Sequence, residues 1–179
     1  MKTCRLLTTL IILSFLTWSC SSNRDKPAEH QVKFLQGSTH NKLEVLDWGG
    51  EGQAIIFLTG LGNSGHVFDE FAPRFTDRFH VYAVSRRGYG ASEPSTGYDM
   101  KTLTDDILAV MDSLQIEKVI FAGHSIAGDE MSKLAVLYPS RVDKIIYLDA
   151  AYDRTKVAEF VKYFPEFPQP NAEDSSFTV

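Results

Sequence analysis

Residues 121–128 read Phe121-Ala122-Gly123-His124-Ser125-Ile126-Ala127-Gly128. The apolar run 118–122 before the turn predicts a buried strand, and the residues after it predict a helix that ends before Pro139. A serine on a sharp turn between strand and helix has an exposed hydroxyl, and backbone N–H groups of the helix N-terminus lie behind it. Gly123 is needed at so tight a bend, because a side chain there would collide with the neighbouring strand or helix. The stretch predicts a strand–turn–helix unit with Ser125 at its tip.

Five more apolar runs predict the rest of a sheet. Runs 32–36 and 42–48 alternate and are separated by polar residues, which indicates a hairpin. Runs 53–58, 80–84 and 144–148 are continuous, which is typical of strands buried on both faces, and their spacing leaves room for crossover helices. The sequence therefore predicts one α/β domain with a mostly parallel sheet of six strands and helices on both faces.

Three helices are predicted between these strands. Residues 102–105 are expected to open the first helix as a capping box. A third helix is expected over residues 64–74. The apolar positions that define the first two helices are Leu103, Ile107, Val110, Met111 and Leu114 in one and Met131, Leu134, Ala135 and Tyr138 in the other.

The serine turn resembles the nucleophile elbow of the α/β-hydrolase family, Gly-x-Ser-x-Gly, and the resemblance extends over residues 32–152. Gly123 and Ser125 match, and Ala127 stands where the family has its last glycine. The resemblance implies that Ser125 is the nucleophile. It also implies that the backbone N–H of Ile126 is one donor of an oxyanion hole.

Two further loops carry the same resemblance. In the loop 58–64 the N–H of Leu61 matches the family's second oxyanion donor, and Thr59 replaces the usual histidine, whose role is to support the loop. The loop 85–92 resembles the family's Asp-x-Arg-Gly-x-Gly-x-Ser, with Ser85 in place of the aspartate. Residues 138–150 match the stretch that leads into the family's sixth strand.

A catalytic base and acid are harder to assign. The family order is serine, acid, histidine, but every histidine of this chain precedes Ser125. Asp149, at the end of a predicted strand, is a candidate acid, and the alternative is a structural carboxylate in a loop. Asp153 is a weaker candidate. The five histidines are His30, His40, His66, His80 and His124.

The family core has eight strands, and six are predicted here. Residues 152–179 resemble the start of the family's lid, so we expect a C-terminally truncated domain that lacks two strands and the catalytic histidine. The function expected is a serine hydrolase that acts on an ester, thioester or amide carbonyl. The alternatives are a non-catalytic, truncated or degenerate lipoprotein, or a non-hydrolase of this fold such as a haloperoxidase or an acyltransferase.

The N-terminus predicts export. Residues 1–19 resemble a signal peptide, because Lys2 and Arg5 precede an apolar run at 6–16 that is too short to span a bilayer. Residues 16–20 resemble a bacterial lipobox, so Cys20 is expected to be lipidated and residues 20–31 to form a polar tether. This predicts a membrane-anchored lipoprotein of a bacterial cell envelope. The alternatives are ordinary signal cleavage, which would give a periplasmic or secreted protein, and an unprocessed anchor; in both, Cys20 is incidental.

Composition limits the partners. The net charge of −5 gives no reason to expect nucleic acid, and we expect a small-molecule carbonyl substrate. Both cysteines, Cys4 and Cys20, lie at the N-terminus, so the body has no thiol for a disulfide, a zinc site or a nucleophile. We expect neither a metal nor a cofactor.

Overall fold

The structure is a computed structural model of the chain and describes residues 29–150. Its six strands form one sheet in the order β1-β2-β4-β3-β5-β6, in which β1, β2 and β4 pair antiparallel and β4, β3, β5 and β6 pair parallel. The predicted α/β architecture is confirmed. The strands are β1 (Gln31–Gln36), β2 (Lys42–Gly49), β3 (Gln53–Leu58), β4 (Phe79–Val84), β5 (Val119–His124) and β6 (Val142–Leu148).

The predicted hairpin is formed by β1 and β2. Gly37 N–H donates to the Asn41 carbonyl at 2.7 Å and closes the turn, in which His40 adopts a positive φ of 64°. Ahead of β1, the ring of His30 packs edge-on against Trp48 with 5.2 Å between centroids.

Both faces of the sheet are covered. Alternate residues of β3 belong to two separate cores, because successive side chains of a strand point to opposite faces. Ile56 and Leu58 pack in the core formed with the two α-helices. Ile55 and Phe57 pack in the other, where two 3₁₀ turns provide the cover. Burying one such side chain contributes roughly 1.5–3 kcal/mol, so both faces stabilise the strand ends that carry the site.

Helix α1 (Met100–Ser113) begins earlier than its predicted capping box. The N-cap is Asp99, whose Oδ1 accepts from the Thr102 N–H at 3.1 Å and whose Oδ2 accepts from the Thr102 hydroxyl at 2.7 Å. The prediction that residues 102–105 open the helix is wrong, because Asp99 satisfies the same free N–H groups one turn earlier. Asp105 instead pairs with Lys101 within the helix, at 2.6 Å.

Helix α2 (Ala127–Leu137) follows β5 and ends before Pro139, as predicted. The predicted helix over residues 64–74 is wrong: the segment forms two 3₁₀ turns, Gly65–Phe68 and Ala72–Phe75. Pro73 has no N–H to donate to the carbonyl four residues earlier, so a continuous α-helix is interrupted there. The rings of Phe68 and Phe75 still pack on Phe57, with centroids 5.0 and 5.7 Å away.

None of the helices within residues 29–150 is both long and apolar enough to cross a membrane. The predicted signal peptide, Cys20, the tether up to residue 28, Asp153 and the predicted start of the lid all lie outside the described residues.

Candidate active site

Ser125 occupies a strained turn between β5 and α2. Its φ is 54°, in the left-handed region that non-glycine residues rarely adopt. The turn is closed by the Gly128 N–H, which donates to the Ser125 carbonyl at 2.9 Å. A serine held in this conformation between a strand and a helix has the geometry of a nucleophile elbow.

The glycines of the elbow permit close approach. A Cβ on Gly123 would lie 2.8 Å from the Ala127 Cβ and 2.7 Å from the Met131 Cε, so the collision predicted from sequence would be with α2. A Cβ on Gly128 would overlap the carbonyl of Ala150, which follows β6. Both positions exclude a side chain because backbone or packed core atoms occupy the space.

The loop after β3 lies against the elbow. A Cβ on Gly60 would be 3.4 Å from the Ser125 Cβ and 2.7 Å from the His124 Nδ1. The Asn63 N–H donates to the Gly60 carbonyl at 3.3 Å, and the Thr59 hydroxyl donates to the Asn63 carbonyl at 3.0 Å. Thr59 thus closes the loop, the support expected of the residue in its place.

The two predicted oxyanion donors adjoin this contact. Leu61 follows Gly60, and Ile126 follows Ser125. Among the backbone hydrogen bonds of residues 29–150, neither the Leu61 N–H nor the Ile126 N–H is donated to another residue. Within the described residues, both N–H groups beside the serine are thus without a backbone acceptor.

Arg86 connects this loop to the elbow helix and was not recognised from sequence. Its Nε donates to Glu130 Oε1 in α2 at 2.6 Å, and its Nη2 donates to the Thr59 carbonyl at 3.1 Å. Burial by itself would lower the pKa of Arg86, but the charge of Glu130 and its hydrogen bond raise that pKa above the ordinary value. The only sequence signal was its place beside the arginine of the Arg-Gly motif.

A cavity of about 20 Å³ lies beside Arg86, Thr59 and Glu130. That space holds about one water molecule. It is too small for a carbonyl substrate, so it is a structural cavity and not a substrate pocket.

The loop after β4 is fixed by two buried groups. Ser85, which stands in place of the family's aspartate, donates to Glu44 Oε2 at 2.6 Å and accepts from the Gly65 N–H at 2.8 Å. Arg87 is fully buried and forms a bidentate pair with Asp106 of α1, with both N–O distances 2.7 Å. These residues hold the loops in place and are not reactive groups.

Within the described residues, no histidine donates to or accepts from the Ser125 hydroxyl. His80 Nε2 lies 2.9 Å from Asp47, and the two ring nitrogens of His66 face Asp69 and Glu44. His40 is in the hairpin turn, and the imidazole of His124 lies against Gly60.

Asp149 lies at the same edge of the sheet as Ser125. Leu148, its predecessor, pairs in register with His124, the predecessor of Ser125. Asp149 is exposed and has a φ of 51°. The structure thus brings the candidate acid to the strand end next to the serine.

The sequence model of the α/β hydrolase fold family matches residues 53–178, which are more than half of the chain. The chain belongs to the α/β-hydrolase fold family.

Curated relatives include hydrolases of this fold. The chain is 33% identical over 101 residues to the 2-(acetamidomethylene)succinate hydrolase of Mesorhizobium japonicum, a match that covers 56% of this chain and 36% of the relative. It is 34% identical over 108 residues to the non-heme chloroperoxidase of Streptomyces lividans, with 58% and 39% covered. The matched region thus spans well under half the length of these relatives.

The fold is also that of solved α/β hydrolases. The crystal structure of E-2-(acetamidomethylene)succinate hydrolase superposes with a TM-score of 0.64 at 24% identity. The superposition covers 78% of this chain and 60% of that one.

Proposed function

We propose that this protein is a serine hydrolase in which the Ser125 hydroxyl attacks an ester, thioester or amide carbonyl. The backbone N–H groups of Leu61 and Ile126 stabilise the oxyanion of the tetrahedral intermediate. The observation that carries the proposal is the left-handed Ser125 on the strand–helix turn, in contact with the Gly60 loop. The kinship with hydrolases of this fold supports it.

The reaction proceeds through an acyl-enzyme. Attack by Ser125 forms the C–O bond, the collapsing intermediate expels the alcohol, thiol or amine, and water then hydrolyses the serine ester. A base must accept the hydroxyl proton and return it to the leaving group. We propose that none of the five histidines supplies this base, because all precede Ser125 and none contacts its hydroxyl within residues 29–150.

It follows that the 179-residue chain hydrolyses esters slowly. An oxyanion hole and binding alone leave roughly 10³–10⁴-fold catalysis over water when a triad is incomplete. An added base of the right size should therefore restore part of the rate, and the gain beyond imidazole's own catalysis of the ester should require Ser125.

The test is chemical rescue with imidazole. The hydrolysis of a short-chain p-nitrophenyl ester is followed against imidazole concentration for the wild type, Ser125→Ala and a matched control, Ser140→Ala, which lies in the exposed turn after α2. We expect the wild type and Ser140→Ala to show a steeper dependence than Ser125→Ala, and mass spectrometry to find the acyl group on Ser125. Equal slopes in all three proteins would refute the assignment.

A second candidate is a non-catalytic binding protein of the same fold. It is favoured by the lack of any histidine contact to the Ser125 hydroxyl among residues 29–150. The same experiment separates the two, since a binding protein has no Ser125-dependent rate with or without imidazole.

A further inference from the structure

Two histidines and an aspartate meet on the face of the sheet that the 3₁₀ turns cover. His30 Nδ1 lies 3.1 Å from Asp69 Oδ1, and His66 Nδ1 lies 3.1 Å from Asp69 Oδ2. One nitrogen or oxygen from each residue lies within 4.8 Å of the other two. The elbow does not use any of these side chains.

The local fold brings the three together. Asp69 follows the 3₁₀ turn Gly65–Phe68. A 3₁₀ helix has three residues per turn, so residues i and i+3 lie above one another, here His66 and Asp69. His30 immediately precedes β1, and its ring is held edge-on between Trp48 and His66, at 5.2 and 5.1 Å. The sequence showed no spacing typical of a metal site because His30 comes from a different part of the chain.

A buried carboxylate orients one of the imidazoles. His66 Nε2 lies 3.3 Å from Glu44 Oε1, and the other oxygen of Glu44 accepts from the Ser85 hydroxyl at 2.6 Å. Glu44 is 3% exposed and is therefore fixed. With Nε2–H donated to Glu44, Nδ1 carries the lone pair, which is the arrangement that carboxylates impose on histidines that ligate metals.

In this tautomer the Nδ1 of His66 and both oxygens of Asp69 are acceptors. The Nδ1 lone pair of a neutral His66 then faces a carboxylate oxygen 3.1 Å away, a repulsion that a cation between them relieves. Asp69 Oδ1 is buried from solvent and takes no hydrogen bond within the described residues, although His30 Nδ1 is 3.1 Å away. An N–H at His30 Nδ1 would point at Asp69 Oδ1, whereas a metal ion would take the His30 nitrogen and the Asp69 oxygen as ligands.

We propose that His30, His66 and Asp69 bind a divalent zinc ion, with a solvent molecule as the fourth ligand. Imidazole and carboxylate are ordinary zinc ligands, at about 2.0–2.2 Å, and a tetrahedral arrangement places such ligands roughly 3.3 Å apart. Each of the two His Nδ1 atoms lies 3.1 Å, close to that value, from one oxygen of Asp69: His30 from Oδ1 and His66 from Oδ2. His66 is 42% exposed, so the ion and its fourth ligand can enter from solvent.

The chain offers a matched control in a second His–carboxylate pair. His80 Nε2 lies 2.9 Å from Asp47 Oδ1, a contact of the same kind, but Lys33 Nζ lies 2.6 Å from Asp47 Oδ2. The lysine ammonium already provides the cation there. His80→Gln therefore removes an equivalent histidine without removing a ligand of the proposed site.

The test is calorimetric titration of Zn²⁺ into the full-length, untagged, chelator-treated protein at neutral pH. We expect the wild type and His80→Gln to share one site per chain, and His30→Gln, His66→Gln and Asp69→Asn each to weaken that site at least tenfold. Glu44→Gln should weaken it about 10–100-fold, the usual cost of losing an orienting carboxylate. Cys4 and Cys20 are present in every variant, so any zinc they bind cancels in the comparison.

Two readouts keep the result independent of variants that fold poorly. Co²⁺ bound to the wild type should give the visible absorption of a four- or five-coordinate site, and the same Zn²⁺ concentration should raise the melting temperature of the wild type more than that of His66→Gln. Equal zinc affinity in the wild type and His66→Gln, or a wild type without a site, would overturn the proposal. So would a Co²⁺ spectrum of the hexaaquo type.

Discussion

Ser125 and Asp149 follow paired residues at the ends of two neighbouring parallel strands, and both have left-handed backbones, with φ of 54° and 51°. Aspartate tolerates this conformation because its short side chain can hydrogen-bond to the local backbone. Serine gains less, so strain at Ser125 calls for a functional reason. The backbone of Asp149 is thus explained by an ordinary turn carboxylate, whereas the strain at Ser125 is accounted for by the proposed nucleophile role.

Leu61 offers a way to delete one oxyanion donor without disturbing the fold. Gly60–Asn63 form a turn in which the Asn63 N–H donates to Gly60 and Gly62 has a φ of 82°, the pattern of a type II turn that favours proline at the position of Leu61. Leu61→Pro removes the N–H and should lower the imidazole-supported, Ser125-dependent ester hydrolysis about 10²-fold.

The control for that experiment is Leu61→Ala. The Leu61 side chain is 66% exposed, so alanine should leave both the rate and the melting temperature close to those of the wild type. If Leu61→Pro and Leu61→Ala retain the same rate, the Leu61 N–H is not an oxyanion donor.

The strain at Ser125 predicts a gain in stability when it is relieved. Glycine adopts a positive φ without the clash that costs other residues roughly 1–2 kcal/mol. The free energy of unfolding of Ser125→Gly should therefore be about 1 kcal/mol higher than that of Ser125→Ala, which keeps a Cβ in the same conformation. Both variants should lack the ester hydrolysis that depends on the Ser125 hydroxyl. Urea unfolding of the two variants measures the difference, and an alanine variant as stable as the glycine variant would show that the turn is unstrained.

The sequence predicted the elements whose signals are local. Runs such as 53–58 and the Gly-x-Ser turn identify their own conformation, and β3 has the bounds expected. The capping box was misassigned because Asp99 caps the helix one turn earlier. The helix over residues 64–74 was misassigned because Pro73 lacks the N–H that a continuous helix needs, which outweighs the apolar pattern. Contacts made across the fold, such as that of Arg86 with Glu130, have no spacing in sequence that could reveal them.

The predicted lipid anchor can be tested through Cys20. If the thiol of Cys20 is acylated, Cys20→Ala should move the protein from the detergent phase to the aqueous phase in a phase-separation assay and abolish incorporation of labelled palmitate. Cys4→Ala is the matched control, because it removes the other cysteine and leaves the lipobox-like residues intact. Identical partition of the wild type and Cys20→Ala would contradict the lipoprotein assignment.

Asp47 predicts how stability depends on acid. Burial alone would raise its pKa, but the hydrogen bonds from Lys33, the Gly49 N–H and His80, with the charge of His80, lower that pKa below the ordinary 3.8. A carboxyl whose folded pKa is depressed stabilises the fold above its unfolded pKa, and this contribution is lost as the pH falls through the folded pKa. The free energy of unfolding should therefore decrease as the pH is lowered below about 4.

The measurement is urea unfolding of the wild type and Asp47→Asn between pH 7 and pH 2. We expect Asp47→Asn to be the less stable protein at pH 7 and the two curves to converge in acid, where the wild-type carboxyl is protonated. Curves that stay parallel over the whole range would show that Asp47 does not contribute through its charge.

Variants of Arg86 and Glu130 can separate two roles of this ion pair: stabilising the protein and positioning the loop that carries Leu61. Removing one partner of a buried ion pair leaves an uncompensated charge and costs about 3–5 kcal/mol. Arg86→Met and Glu130→Leu should each destabilise the protein by that order, because both side chains are more than nine-tenths buried. The double variant should recover most of the loss, since an apolar pair of similar volume replaces the ion pair.

The Ser125-dependent rate should not recover in the double variant, although its stability does. Arg86 also donates to the Thr59 carbonyl of the loop that carries Leu61, and methionine has no N–H to replace that bond. The double variant should therefore unfold nearly as the wild type does but show a lower Ser125-dependent rate in imidazole, with the loss in kcat and little change in KM. A double variant with both wild-type stability and wild-type kcat would show that the link from Arg86 to Thr59 does not position the oxyanion loop.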